Sequence, residues 1–291
     1  MKLSLDCFPC FLRQTLEASR ISNADEKTQR KILNSVMEVL QDVSEETTPP
    51  EIGSLVHRTI RAATGNLDPY EEIKRDHNER ILNIEGELMA VLDTSSSPLM
   101  NAVKLAGTGN LIDMGPERKW SDVVDIFEGF MDKESGFFDY SRFEISLSKA
   151  KTLLYIGDNA GEIVLDKILL KKLIENSVVD ITFAVRGRPI INDATMKDAR
   201  YVGITDIVKV IDTGADFPGV VLESSSEDFL NHYYNADMIL SKGQGNYESL
   251  SDRSEPIFFL LQAKCPVIAN KIGCNVGDLV LKEACNCPQS V

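Results

Sequence analysis

Apolar residues in the first half of the chain recur at the spacing of a helix. In the stretch KTQRKILNSVMEVLQDV they fall on one helical face, and a second such face begins at Pro49 and ends at Gly65. A long helix is predicted over about residues 69–92, and another follows the serine-rich break that ends at Pro98 and stops near Gly107. These patterns predict an all-helical N-terminal domain over residues 1–148.

From Lys151 onward, short apolar runs alternate with amphipathic helical segments. The predicted strands are, in chain order, KTLLYIGDN, DITFAVRG, IVKVID, DMILSKG and PVIAN. Strands that alternate with helices indicate a mainly parallel sheet covered on both faces. We therefore predict an α/β domain over residues 149–291, with a three-layer α/β/α, Rossmann-like architecture.

The composition is that of an ordinary globular protein, since 43% of the 291 residues are hydrophobic and 26% are charged. The formal net charge of −14 disfavours broad contact with nucleic acid or an anionic membrane surface. No apolar run approaches the ~18 residues that a membrane span requires, and the N-terminus lacks a signal-peptide cleavage pattern. We expect a cytoplasmic protein with reduced thiols.

Polar residues stand where the predicted strands end. In open α/β sheets ligands bind at the carboxyl ends of the strands. The first strand is followed by Asp158 and Asn159, and the second by Arg186 and then Asp193. The fourth leads into the turn SKGQGN, and the fifth ends at Lys271. Such residues at neighbouring strand ends predict a binding site along this edge of the sheet.

The chemistry of these groups favours a metal ion and a phosphate. Asp158 and Asn159 offer the oxygen ligands that Mg²⁺ or Mn²⁺ prefers, and Asp193 adds a second carboxylate. The alternative is that each aspartate caps the helix that follows it. Lys242 lies in a glycine-rich turn whose backbone N–H groups can approach a phosphate. The alternative for Lys242 is that it is a solvated lysine in a tight turn. Whether the two aspartates cap helices and whether Lys242 is solvated both stay open at this point.

The same strand–turn–helix pattern also begins nucleotide and S-adenosylmethionine sites. The spacing of GDNAGE is not that of a G-x-G-x-x-G motif, but Asp212 at the end of the third strand could hold a ribose. An S-adenosylmethionine-dependent methyltransferase or a nucleotide-binding module is therefore the alternative function. A non-enzymatic metal or metabolite binder is a third possibility.

Two cysteines at the N-terminus form a C-x-x-C pair. The spacing of Cys7 and Cys10 suits a metal ion or a dithiol. A zinc site would need a second such pair to converge on them, and the remaining cysteines offer poor spacing. Because buried structural cysteines are common, packing is the favoured interpretation. The three histidines are isolated in the sequence and are interpreted as surface or packing residues.

Taken together, GDNAGE, VRGRPIINDAT, SKGQGN and the N-terminal CFPC resemble the DUF89 family of damage-control phosphatases, in the subfamily with an N-terminal C-x-x-C. The resemblance runs the whole length of the chain. It implies a metal-dependent phosphomonoesterase acting on small phosphorylated metabolites such as sugar phosphates. The implied cofactor is a divalent ion such as Mn²⁺, Co²⁺, Ni²⁺ or Mg²⁺.

The resemblance also implies roles for single residues. Metal ligands fall on Asp158, Asn159 and Asp193, of which the two aspartates are also the expected catalytic residues. The phosphate- and substrate-binding residues that we expect are Lys242, Gly243, Asn246, Lys271, Arg186 and Asn110. Asn110 belongs to the segment GNLID, which is expected to reach from the helical half towards the cleft. The alternative for that segment is a helix C-cap followed by a turn.

Overall fold

A computed structural model describes residues 1–44, 46–109 and 137–284 of the chain. The N-terminal part is helical, as predicted. Helices α1 to α3 pack around Phe11, Ile32, Val36, Ile52 and Ile60. The bounds of the first five helices are α1 Cys7–Ile21, α2 Glu26–Gln41, α3 Pro49–Thr64, α4 Glu71–Thr94 and α5 Pro98–Gly107.

The predicted caps of α3 are confirmed. Pro49 occupies the first helical position, where a missing backbone N–H costs nothing, and Thr48 forms a capping box with Glu51. The helix ends at Gly65, which adopts the left-handed conformation with φ of 71°. Local sequence signals were therefore sufficient to fix both ends of this helix.

The second part of the described chain is built on a seven-stranded sheet in the order β1-β7-β6-β5-β2-β3-β4. The five strands from β6 to β4 run parallel, whereas β7 is antiparallel to β6 and pairs in parallel with β1. The strand bounds are β1 Phe137–Phe138, β2 Thr152–Ile156, β3 Asp180–Val185, β4 Lys209–Asp212, β5 Met238–Lys242, β6 Ile257–Gln262 and β7 Leu279–Glu283.

Helices cover both faces of this sheet. Alternate residues of β2 face opposite cores, with Leu153 and Tyr155 in one and Leu154 and Ile156 in the other. The remaining helices are α6 Tyr140–Lys149, α7 Glu162–Asn176, α8 Met196–Val202, α9 Glu227–Asn235, α10 Gln244–Leu250 and α11 Pro266–Ile272. The predicted three-layer, mainly parallel architecture behind a helical N-terminal region is confirmed.

Helices α4 and α5 of the N-terminal region share a core with the sheet. Leu88 and Leu105 pack in the same cluster as Leu153 and Tyr155. The edge strand β1 also precedes the boundary placed at residue 148. The division into domains 1–148 and 149–291 stays a prediction. In the described residues, no helix combines the length and apolarity that crossing a membrane requires.

One predicted strand is wrong. The segment PVIAN forms part of helix α11, and the strand beside β5 is instead the apolar run IFFLLQ of β6. Pro266 lacks a backbone N–H and has its φ preset for the first turn of a helix, which explains why the chain turns helical there. Lys271 therefore lies in the last turn of a helix and not at the end of a strand.

Candidate active site

Two chain segments lie side by side at the carboxyl edge of the sheet. One is the turn after β2, and the other follows β3. The backbone N–H of Ala194 donates to the carbonyl oxygen of Asp158 at 2.8 Å, and that of Ala160 donates to Asn192 at 2.9 Å. A short antiparallel bridge joins Asn159 to Asp193. The three predicted metal ligands are thereby brought together by backbone pairing.

Neither aspartate caps a helix. Helix α7 begins after Gly161 without any side-chain cap, and α8 is capped by Thr195 together with Asp198. Asp158 and Asp193 are nevertheless only 8% and 3% exposed. The capping alternative is therefore wrong for both residues, and their burial has to be explained by something other than helix stabilisation.

The chain is strained just before Asp193. Ile191 adopts a φ of 45°, in the left-handed region that β-branched residues rarely occupy. Such a conformation costs roughly 1–3 kcal/mol and is typical of functional sites, where the surrounding structure enforces it. The strain is consistent with a segment shaped to present the Asp193 carboxylate.

Arg186 joins the two carboxylates. Its Nε donates to Oδ2 of Asp193 at 2.6 Å, and its Nη2 lies 3.5 Å from Oδ1 of Asp158. The side chain is 1% exposed, and Nη1 has no hydrogen-bond partner among the described residues. A buried guanidinium with an unused donor is suited to an anionic ligand.

The site carries more negative than positive charge. Burial raises the pKa of Asp158 well above its ordinary value, and the carboxylates of Asp193 and Glu162 raise it further. Arg186 and Lys264 oppose this rise. Burial also raises the pKa of Asp193, against the effect of Arg186. An additional cation at this position would stabilise the ionised carboxylates.

Lys242 lies in a buried ionic network with Asp166 and Glu162. Its Nζ donates to Oδ1 of Asp166 at 2.7 Å and lies 3.8 Å from Oε2 of Glu162. The hydroxyl of Tyr155 donates to the same Asp166 oxygen at 2.6 Å. Burial lowers the pKa of Lys242, but the carboxylates of Asp166 and Glu162 outweigh burial and raise it. The alternative of a solvated lysine is wrong, because the residue is 1% exposed.

The turn after Lys242 is fitted closely against Asp158. Gly243 has a φ of 82° and a ψ of 163°, a combination that residues other than glycine rarely adopt. A Cβ at this position would overlap the Asp158 carboxylate. Asn246 donates through Nδ2 to the carbonyl oxygens of Lys242 at 2.7 Å and Gly157 at 3.2 Å. Asn246 thus fastens this turn to the end of β2.

Lys264 is a candidate site residue that the sequence analysis missed. It follows β6 and lines the same cleft as Asp158, Glu162 and Lys242, together with Gln244. Lys271, by contrast, lies outside this lining and pairs with Asp252 at 2.9 Å. The rule that ligands meet strand ends would have found Lys264 if IFFLLQ had been recognised as the strand. Two larger cavities, beside Tyr140 and beside His232, contain none of these residues.

Glu162 and Asp166 were also missed, although both belong to the segment that begins with GDNAGE. Asn159 donates through Nδ2 to Oε1 of Glu162 at 3.0 Å and to Oδ2 of Asp158 at 3.1 Å. With its nitrogen engaged in this way, the Asn159 amide can offer its oxygen to a ligand. A carboxylate three positions after the asparagine was the signal in the sequence.

The strand-end residues fit a hard divalent cation. The described residues contain no cluster of three or more His, Cys, Asp or Glu side chains arranged as a metal site. The set at the sheet edge is instead two carboxylates and one amide, from Asp158, Asp193 and Asn159. Oxygen donors of this kind suit Mg²⁺ or Mn²⁺, which keep open positions for water or phosphate oxygens. The carboxylates of Asp158, Asp193 and Glu162 outnumber the nearby cations Arg186 and Lys264, which also favours the binding of a cation here.

Comparison with known proteins assigns the chain to a family. Residues 3–280 match the damage-control phosphatase ARMT1-like domain. The chain belongs to this family, which is also known as DUF89. A solved structure of a DUF89 family protein from Pyrococcus horikoshii superposes with a TM-score of 0.91 at 31% identity, over 98% of this chain and 99% of that one.

Curated relatives extend over the same length. A damage-control phosphatase of Pyrococcus horikoshii, PH1575, is 34% identical over 96% of this chain and 97% of its own. A damage-control phosphatase of Archaeoglobus fulgidus is 31% identical over 97% of this chain and 99% of its own. An uncharacterized protein of Methanocaldococcus jannaschii, MJ0202, is 36% identical over 97% of this chain and 95% of its own.

Three further residues predicted from the family resemblance lie away from the described cleft or outside the described chain. Asn110 is outside the described residues, directly after Gly109, whose backbone closely approaches Glu162. Cys7 and Cys10 begin helix α1, where Cys7 is half-buried and Cys10 is exposed. Neither thiol lines the cleft. The C-x-x-C subfamily and the roles of these residues stay predictions.

Proposed function

We propose that this protein is a metal-dependent phosphomonoesterase that hydrolyses small phosphorylated metabolites, such as sugar phosphates, in metabolite damage control. The observation that carries the proposal is the pairing of Asp158 and Asp193. They are buried side by side at adjacent strand ends, neither caps a helix, and both face Arg186. The names of the two relatives called damage-control phosphatases support the phosphatase activity.

Asp158, Asn159 and Asp193 would hold the metal ion. When bound, a divalent ion polarises the phosphoryl oxygens and offsets the charge that develops on them. The donor set does not distinguish Mn²⁺, Co²⁺, Ni²⁺ and Mg²⁺ by type of atom, so the proposal extends to all of them. In this proposal one of the two aspartates, Asp158 or Asp193, would orient the attacking water molecule.

The cations of the site hold the phosphate group. The chain has a net charge of −14, so a phosphate dianion must be attracted by local positive charge. Arg186 offers Nη1, which is buried and unpaired among the described residues. Lys264 and Lys242 line the same cleft as Asp158, and Lys242 is also paired with the buried Asp166. Preorganised charges of this kind stabilise the transition state without having to reorient during the reaction.

The test is hydrolysis of p-nitrophenyl phosphate with each of the four ions and after chelation. We expect turnover that EDTA abolishes and that added metal restores. Asp193→Asn should lower kcat/KM by about 100-fold or more, because it removes one charged ligand. Asp212→Asn is the matched control, since Asp212 accepts a hydrogen bond from Gly214 at 2.8 Å in a turn outside the site.

Two results would overturn the proposal. One is turnover that persists unchanged in the presence of EDTA. The other is saturable binding of S-adenosylmethionine without phosphatase activity under any metal, particularly if Asp212→Asn weakens that binding. The second result would favour the methyltransferase alternative, in which Asp212 contacts a ribose.

A further inference from the structure

A polar residue interrupts the apolar face of helix α4. Asn78 is 1% exposed and lies on the face that also buries Ile81, Leu88 and Leu92. Burying an amide is unfavourable unless its donors and acceptor are satisfied. The hydrogen-bond partners of Asn78 therefore indicate its role in the structure.

Both ends of the Asn78 amide contact segments that belong to the candidate active site. Its Oδ1 accepts a hydrogen bond from the backbone N–H of Gly161 at 2.6 Å, and its Nδ2 donates to Oδ1 of Asp198 at 3.1 Å. An N–H needs an acceptor and a carboxylate needs a donor, so these partners fix the orientation of the amide. Asn78 touches neither Asp158 nor Asp193 in these bonds.

Gly161 closes the turn that carries Asp158 and Asn159. It has a φ of 81° and precedes the first residue of α7, so its N–H points away from the helix ladder and needs another acceptor. Asn78 supplies that acceptor from the helical region. One hydrogen bond thereby joins the C-terminal end of the turn directly to α4.

Asp198 fixes the other segment. It accepts hydrogen bonds from the backbone N–H of Thr195 at 2.9 Å and from its hydroxyl at 2.7 Å, which caps α8 two residues after Asp193. Lys74, one turn before Asn78 on α4, lies 3.7 Å from the same Oδ2 of Asp198. Helix α4 thus contacts both ligand-bearing segments, and Asn78 is the residue whose one amide bonds to both.

We propose that Asn78 is a positioning residue that sets the spacing between the Asp158–Asn159 turn and the Asp193 segment. The inference rests on the proposed function, because the spacing matters only if the three residues share one metal ion. Partners that orient metal ligands without touching the metal typically contribute 10- to 100-fold to metal affinity or activity. The helical region then acts as part of the active-site framework.

The first test compares two variants of the same helix face. Asn78→Leu removes both hydrogen bonds at similar volume, and Leu88→Ala creates a cavity at a residue that is 0% exposed and further along α4. The readouts are the Mn²⁺ concentration for half-maximal turnover and the Mn²⁺-induced increase in Tm. We expect Asn78→Leu to raise the Mn²⁺ concentration that gives half-maximal turnover by roughly 10- to 100-fold. The Mn²⁺ concentration that gives a particular increase in Tm should rise by the same factor. Leu88→Ala should lower the Tm without metal and leave the Mn²⁺ dependence unchanged.

The second test is a rescue. Asn78→Asp keeps an acceptor for Gly161 but faces the Asp198 carboxylate with a second negative charge. Adding Asp198→Asn restores a donor–acceptor pair and the original total charge. We expect the double variant to recover most of the Mn²⁺ affinity that Asn78→Asp loses. This comparison also decides the question if Asn78→Leu does not fold.

The outcomes separate the two proposals. If the unmodified protein shows neither Mn²⁺-dependent turnover nor a Mn²⁺-induced Tm shift, the proposed function fails. If it shows both, and Asn78→Leu and Asn78→Asp retain its Mn²⁺ dependence, Asn78 is a packing residue only. Equal weakening of the Mn²⁺ response by Leu88→Ala would also overturn the positioning role, because general destabilisation would then explain the effect.

Discussion

The close fit of Gly243 against Asp158 can be tested by adding a single methyl group. Gly243→Ala places a Cβ where the Asp158 carboxylate now lies, so one of the two must move. The carboxylate is the mobile partner, because the Gly243 N–H is held by the carbonyl oxygen of Leu260 at 3.0 Å. The substitution therefore displaces a predicted metal ligand without removing any ligand atom.

The size of the effect follows from two separate contributions. The backbone conformation of Gly243, with φ of 82° and ψ of 163°, should cost alanine roughly 1–3 kcal/mol of stability. Displacing a reacting group by about 1 Å commonly lowers the rate by about 100-fold. That factor corresponds to about 2.7 kcal/mol of lost transition-state stabilisation. We expect a loss of stability together with a loss of kcat/KM of this order.

Gly273→Ala is the matched control for the backbone contribution. Gly273 also has a positive φ, of 88°, but no atom lies within 4 Å of the position that a Cβ would take. Its substitution should cost roughly 1–2 kcal/mol of stability and leave kcat/KM unchanged. Urea denaturation measures the stability, and Mn²⁺-dependent p-nitrophenyl phosphate turnover measures the activity. The reasoning is refuted if both variants lose stability and both keep wild-type kcat/KM.

Three further predictions concern buried charge, pH and the thiols. Lys242→Met should lower the free energy of unfolding by about 3 kcal/mol or more, because Asp166 keeps its buried charge without the ammonium partner; an unchanged urea midpoint would contradict this. Burial lowers the pKa of His57 to about 4 from 6.5, so stability should be complete above pH 6.5 and fall as the pH drops towards 4. Between pH 7 and pH 5 the loss should be about 2 kcal/mol, and urea denaturation of His57→Phe should show a smaller loss over that interval. Cys7→Ser combined with Cys10→Ser should leave Mn²⁺-dependent turnover close to wild type, since both thiols lie on helix α1, outside the two paired segments that carry Asn159 and Asp193; a folded double variant without turnover would place the C-x-x-C pair in the catalytic machinery.

Much of the fold follows from local sequence patterns. The ends of α3 are determined by a capping box and a glycine within the helix's own sequence. The strands β2, β3, β4 and β5 were recognisable because each apolar run ends at a glycine, an aspartate or an arginine. Polar residues at these ends located Asp158 and Asp193, since parallel strands bring their carboxyl ends to one edge.

For two apolar runs that lack such end residues, the predicted secondary structure was wrong. IFFLLQ is buried along almost its whole length, so its sequence shows no alternation that separates a strand from a buried helix. PVIAN has the composition of a strand but begins with a proline that favours a helix start. The choice of Lys271 in place of Lys264 follows directly from this exchange of strand and helix.

The sequence by itself determined the fold class, the order of most elements and the chemical character of the sheet edge, because these depend on periodicity and on residues close in the chain. Only the tertiary structure decided that Asp158 and Asp193 do not cap helices, that Lys242 is paired with Asp166, and that Asn78 contacts Gly161. Asn78 is separated from its partners by 83 and 120 residues. Contacts over such distances are set by how the layers pack, and no local pattern in a single sequence records them.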